Sequence, residues 1–153
     1  MPSFRTVRRV PFTPQQMFAV VADVESYPQF LPLCEALTVT KREATSDGGT
    51  ELTATMSVGY GAITEQFTTQ VLLDPGAALI RVRHQDGPFT HLENEWRFVP
   101  AVGGCDVQFF IDYAFRSTML QMIVGGAFDK AVRSYTDAFE GRARSLYGPR
   151  ATA

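Results

Sequence analysis

The chain has 153 residues, enough for one ordinary domain that buries roughly 70% of its unfolded surface and too few for a second full domain. Hydrophobic residues make up 45% and charged residues 20%, with 12 Gly and 9 Pro, a balance that excludes disorder, collagen and coiled coil. The formal net charge is −2 and the 14 Lys+Arg are scattered between the N-terminus and the last helix, so no nucleic-acid partner is expected.

Residues 4–11 read as a first strand with Phe4, Thr6, Arg8 and Val10 on one face. Thr13, Pro14 and Gln16 then supply an N-cap, a proline at N1 and a capping-box glutamine at N3, and Phe12 can staple onto Met17. A short helix through Val21 follows. Between Asp23 and Leu33, Pro28 and Pro32 prevent a long helix while Tyr27, Phe30 and Leu31 demand burial, which predicts a helical turn and an ordered loop.

From Ala36 to Phe115 the hydrophobic pattern alternates. After a strand over Ala36 to Arg42, Leu52, Ala54, Met56, Val58 and Tyr60 alternate with Thr53, Thr55 and Ser57, the mark of a strand with one wet face. Ile63, Phe67, Val71 and Leu73 share a face of the next strand, which Asp74-Pro75-Gly76 closes. Ile80 and Val82 continue the pattern, and Leu92, Trp96 and Phe98 resume it after Asp86-Gly87-Pro88. Val107, Phe109, Ile111, Tyr113 and Phe115 end it.

Thr118-x-x-Gln121 reads as a second capping box, opening one amphipathic helix of nearly 30 residues, about 45 Å long. Its apolar stripe runs from Leu120 through Val124, Phe128, Val132, Tyr135 and Phe139 to Leu146. The sequence therefore predicts an α+β helix-grip architecture: a curved antiparallel sheet of about seven strands on a long C-terminal helix, with two short helices after the first strand. One domain over 1–148 and a short tail over 149–153 are expected.

Cys34 and Cys105 stand alone, without Cys-x-x-Cys or a neighbouring His, so neither a zinc knuckle nor a redox motif can be built from them and a reduced cytoplasmic compartment is the simplest setting. No window approaches the roughly 18 apolar residues of a spanning helix, and the N-terminus has no signal-peptide pattern. The 12 Phe, 5 Tyr and 1 Trp are more aromatic side chain than a small core needs.

This order of elements carries Tyr27-Pro28-x-Phe30-Leu31-Pro32-x-Cys34, Asp86-Gly87-Pro88-Phe89, Leu92-x-x-x-Trp96-x-Phe98 and Phe115-Arg116-Ser117. With these motifs the chain resembles, over nearly its whole length, the coenzyme Q-binding branch of the START-like, polyketide cyclase-like superfamily. The resemblance implies a non-enzymatic protein that binds ubiquinone or a similar polyprenyl lipid in a hydrophobic cavity and supports respiration or quinone biosynthesis, with no other cofactor. Some members of the branch are described as ribosome-associating toxins, which leaves an interaction protein using Arg5, Arg8, Arg9 and the charged side of the last helix as an alternative. Other START-like branches are polyketide aromatases or cyclases. Mitochondrial members carry a transit peptide that this chain lacks, so a bacterial cytoplasmic setting is expected, with transient contact at the inner face of the membrane.

The expected cavity lining is Met56, Val58, Phe67, Val82, Trp96 and Phe98 from the strands, with Phe109 and Tyr113, and Val124, Phe128 and Val132 from the helix. A quinone ring offers only acceptors, so NH and OH groups among apolar walls are needed, and Asn94, His84 and Tyr113 can supply them. Asn94 reads equally as a satisfied core amide, and His84 as a strand-end histidine bonded to a loop. Glu65 falls on the face of Ile63 and Phe67, either as a ligand-orienting group or base, or reaching water or an arginine where the strand twists. Strand parity separates His84 from His91, which rejects a zinc site.

Between Ser117 and Phe128 there is no charge, and Met119, Met122 and Ile123 fall outside the apolar stripe. The simplest expectation is that Tyr27 to Leu33 covers them. The sharper one is a cavity mouth built from Tyr27, Phe30, Leu31, Phe89, Met119 and Ile123 that can open against a bilayer.

Overall fold

Alternation becomes strand wherever the sequence places it. The structure, a computed structural model, describes residues 3–148; the tail expected over 149–153 lies outside them. In chain order the elements are β1 (Ser3–Val10), α1 (Pro14–Ala22), a 3-10 helix (Val24–Gln29), β2 (Cys34–Ala44), β3 (Thr50–Tyr60), β4 (Ile63–Asp74), β5 (Leu79–Asp86), β6 (Phe89–Ala101), β7 (Gly104–Phe115), α2 (Thr118–Arg133) and α3 (Tyr135–Tyr147). The seven strands form one antiparallel sheet in the order β1-β7-β6-β5-β4-β3-β2, an α+β helix-grip arrangement. From β2 to β7 each strand pairs with its chain neighbour, while β1 closes onto β7 with Phe4 opposite Ile111 and Val10 opposite Cys105.

The register sets the inner face. Met56 lies opposite Phe67 and Ala54 opposite Thr69, Val82 opposite Asn94, and Trp96 opposite Phe109. Outer-face positions carry the ion pairs, such as Arg81 and Arg97 with Glu95. At the first helix the capping box forms as read: the Gln16 amide donates to the Thr13 hydroxyl at 3.1 Å and the Thr13 amide to the Gln16 side-chain oxygen at 2.9 Å. Pro28 sits inside the 3-10 helix, and Leu33 takes a φ of 68°, where its carbonyl accepts from the Gly59 amide at 3.0 Å.

Two expectations about the C-terminal helix are corrected. Its N-cap is Ser117, not Thr118, because Ser117 is the residue in extended conformation and its hydroxyl accepts from the Leu120 amide at 3.2 Å. Nor is the helix continuous. At Ser134 (φ −98°, ψ 1°) the amide and the hydroxyl both donate to Ala131, the hydroxyl at 2.8 Å, and the chain restarts as α3. The buried stripe of α3 is Thr136, Phe139 and Ala143, and Leu146 is left exposed. Arg8, on the inner face of β1, holds α3 in place through Asp137 and through Glu140 at 3.0 Å.

Candidate ligand cavity

Because the sheet curves around the helices, its inner face and the 3-10 helix leave a cavity of about 80 Å³. Met56, Phe67, Val82, Asn94, Trp96 and Phe128, all expected, line it. Tyr27 and Leu31, expected at the mouth, lie in the inner wall instead because the 3-10 helix folds under α3. A smaller outer cavity of about 30 Å³ is bounded by Val58, Glu65, Phe89, Val124 and Phe128, with Tyr60 and Ile63 of the β3–β4 hairpin. Phe128 is common to both, so its ring is the partition between them.

Several expected lining residues line neither cavity. Phe98 turns its ring to Phe18 of α1 and Phe109 packs on Trp96 and Phe4, both buried in the aromatic core. Val132, in the last turn of α2, is fully buried. Tyr113 is sealed behind Phe128 and Phe89, its hydroxyl 3.5 Å from the Asp129 carboxylate. His84 stacks edge-on against Phe89, and its Nε2 is buried without a partner among the described residues. Burial, then the Arg116 charge, lowers the His84 pKa, against an upward pull from Asp86.

Asn94 lines the cavity but its amide is engaged. Its Nδ2 donates to the Phe110 carbonyl at 2.8 Å and its Oδ1 accepts from the Trp96 indole at 3.0 Å, which makes it the core amide holding β6 to β7. The polar groups that the sequence reading missed are Thr69 on β4 and Tyr135 at the start of α3, both in the inner wall. Alternation places Thr69 with Phe67 and Val71, a visible signal; Tyr135 was hidden as one more apolar member of the helical stripe.

The inner lining contains no charged side chain, and burial raises the phenol pKa of Tyr27, Tyr113 and Tyr135, keeping them protonated donors. Tyr27 donates to the Val21 carbonyl. Glu65 faces the outer cavity, so it and His84 do not meet in one site. Burial pushes the Cys34 and Cys105 thiols up to about 11, leaving both protonated at neutral pH. His91 lies on the outer face, its Nε2 3.3 Å from Asp112, apart from His84.

Tyr27 to Leu33 does not cover the start of α2. The Phe30 ring packs on Phe139 and Tyr27 and lies under the Arg142 guanidinium, which ties that segment to α3. Met119, Met122 and Ile123 are consequently 69%, 80% and 49% exposed; they line neither cavity but share α2 with Val124 of the outer one. The N-terminal arginines are engaged as well: Arg8 with α3, Arg9 with Asp106 at 2.5 Å, and Arg5 over the Phe110 ring. Among the described residues no helix is long and apolar enough to cross a membrane.

Residues 10–140 match the family model described as polyketide cyclase / dehydrase and lipid transport. The protein named ribosome association toxin RatA of Rickettsia prowazekii is 31% identical, over 95% of this chain and 99% of that protein. The mitochondrial coenzyme Q-binding protein COQ10 homolog B of Xenopus laevis is 30% identical, over 90% of this chain and 56% of that protein. Among solved structures, the Zhui aromatase/cyclase of Streptomyces sp. R1128 superposes with a TM-score of 0.77 at 17% identity over 99% of both chains, a likeness of fold. With its family model matched from the end of β1 into α3 and these relatives aligned over nearly its full length, the chain belongs to the polyketide cyclase/dehydrase and lipid transport family.

Proposed function

We propose that the protein binds ubiquinone or a similar polyprenyl lipid in the inner cavity and presents it at a membrane surface, without catalysing a reaction, in support of respiration or quinone biosynthesis. The observation that carries this reading is the sequence of apolar spaces: an inner cavity, the Phe128 partition, an outer cavity, and on α2, which carries Val124 of that cavity, the uncovered Met119, Met122 and Ile123. Exposed methionines adapt to varied apolar partners, and a contiguous greasy face of this kind marks a contact surface. The relative named for coenzyme Q binding supports the choice of ligand.

The inner volume of about 80 Å³ is below the roughly 150 Å³ that takes a benzene ring, so a quinone head gains access only as Phe128 and α2 move. A domain of this length has a radius of gyration near 15 Å, which an extended ten-unit isoprenoid tail outruns. Such a tail remains partly in lipid while the head is sheltered.

Native mass spectrometry with lipid extraction, on protein purified from a quinone-producing host, tests the reading. A co-purifying quinone is the expected result; no bound lipid and no uptake of added quinone overturns it. The relatives named as ribosome association toxins favour a second reading, binding to the ribosome. Co-sedimentation with ribosomal subunits that persists in moderate salt is its test, since purely ionic association fades as counterions compete. The pairing of Arg8 and Arg9 with acidic side chains weighs against an ionic surface there.

A further inference from the structure

We infer that the inner cavity selects a neutral ring bearing hydrogen-bond acceptors, and that the hydroxyls of Thr69 and Tyr135 are the donors that orient it. The inference rests on the lipid-binding reading above and adds the residues that hold the ligand's oxygen atoms and the rejection of anionic lipids.

Thr69 stands between Phe67 and Val71 on the inner face of β4, only 7% exposed, where packing alone favours valine. On the outer face of β3 and β4 the threonines nearest to it are engaged. Thr53 bonds the Gln70 side chain and Thr55 bonds Thr68 at 2.8 Å. The Thr69 hydroxyl has no hydrogen-bond partner among the described residues, although it lies in the cavity wall. A hydroxyl in a largely apolar cavity wall, engaged by none of the sheet's side-chain bonds, is open to a partner supplied by a ligand.

Tyr135 faces it from the helical side. The break at Ser134 starts α3 at this residue, with its ring 6.3 Å from Phe109 and its side chain in the cavity wall. Its hydroxyl also lacks a partner among the described residues, whereas Tyr27 donates to Val21 and Asn94 is shared between Trp96 and Phe110. Two groups of the lining are thus engaged internally, and two from opposite walls are left to a ligand.

Charge narrows the class further. No Lys, Arg, His, Asp or Glu lines the inner cavity, and the outer one holds a carboxyl group, Glu65, and no basic side chain. A fatty-acid carboxylate or a lipid phosphate would lose its hydration without gaining a counter-ion and would pass a like charge on the way. A ring carbonyl or methoxy oxygen needs only the donors that Thr69 and Tyr135 supply.

Trp96 is the sole tryptophan and lies in the inner wall, so its fluorescence reports the cavity directly. Full-length protein is titrated with a short-chain ubiquinone, and a prenylbenzene of the same tail and oleate are read as competitors. Tyr135→Phe and Thr69→Val are each expected to weaken quinone binding about tenfold, the usual effect of one lost hydrogen bond, and to leave prenylbenzene competition unchanged. Thr69→Ser keeps wild-type affinity, and oleate competes poorly. Wild-type affinity for the quinone in both Tyr135→Phe and Thr69→Val, or oleate competing as well as prenylbenzene, overturns the inference while leaving the lipid-binding reading in place. A wild-type protein that the quinone does not quench overturns both. Should Tyr135→Phe fail to fold, Thr69→Val carries the test alone.

Discussion

Phe128 packs its ring on Tyr113 at 4.9 Å, Phe89 at 5.5 Å and Phe115 at 5.6 Å while separating the two cavities, so it couples core stability to access. Phe128→Ala is expected to cost about 3–5 kcal/mol in urea unfolding and, by joining the cavities, to speed quenching of Trp96 by added quinone in stopped flow. His84 gives a second residue-level test. Its depressed pKa means that the unfolded chain binds a proton where the folded chain does not, so stability falls as pH drops through about 6.5 and the loss is complete below the folded value. His84→Gln should flatten the dependence of the urea midpoint on pH across that range. Parity in the strands placed Phe67, Val82, Asn94 and Trp96 in the cavity wall from sequence alone. It did not show that Asn94 is engaged, because the Phe110 carbonyl that accepts its hydrogen bond is a backbone group on another strand. Parity also says which face His84 and Tyr113 occupy, but not that aromatic neighbours seal them from the space.

The capping box at Thr13 was legible because its chemistry is local, and the same locality makes it testable: Thr13→Ala should lower stability by about 1 kcal/mol in urea without altering quinone binding. The strands were legible for a related reason, since turn residues and alternation specify them before any long-range contact forms. The division of the last helix was not. Serine is tolerated in a helix interior, and the stripe from Val132 to Phe139 keeps its period through Ser134, so the restart shows only in the backbone turn at Ser134 and its two bonds back to Ala131. The covering of α2 was misjudged for a different reason: both Phe30 and Met119 need apolar partners, and composition cannot say that Phe30 takes Phe139 instead.

For the molecule as a whole, the uncovered face of α2 and the charged outer face of the sheet give two unlike surfaces. Replacing Met119, Met122 and Ile123 together with Gln is expected to abolish co-sedimentation with phospholipid vesicles while quinone quenching and thermal stability stay at wild-type values, since all three side chains are already largely in water. Loss of quinone binding in that variant would instead place these residues inside the ligand site. The closure of β1 onto β7 bears on how such a protein is made. On the ribosome, each hairpin from β2 onward can zip up as it emerges, whereas β1 must wait, unpaired, until Gly104–Phe115 has been synthesised. In pulsed hydrogen exchange during refolding, the β1 amides should gain protection last, and a nascent chain halted before that point carries a sticky ribbon that chaperones must shield.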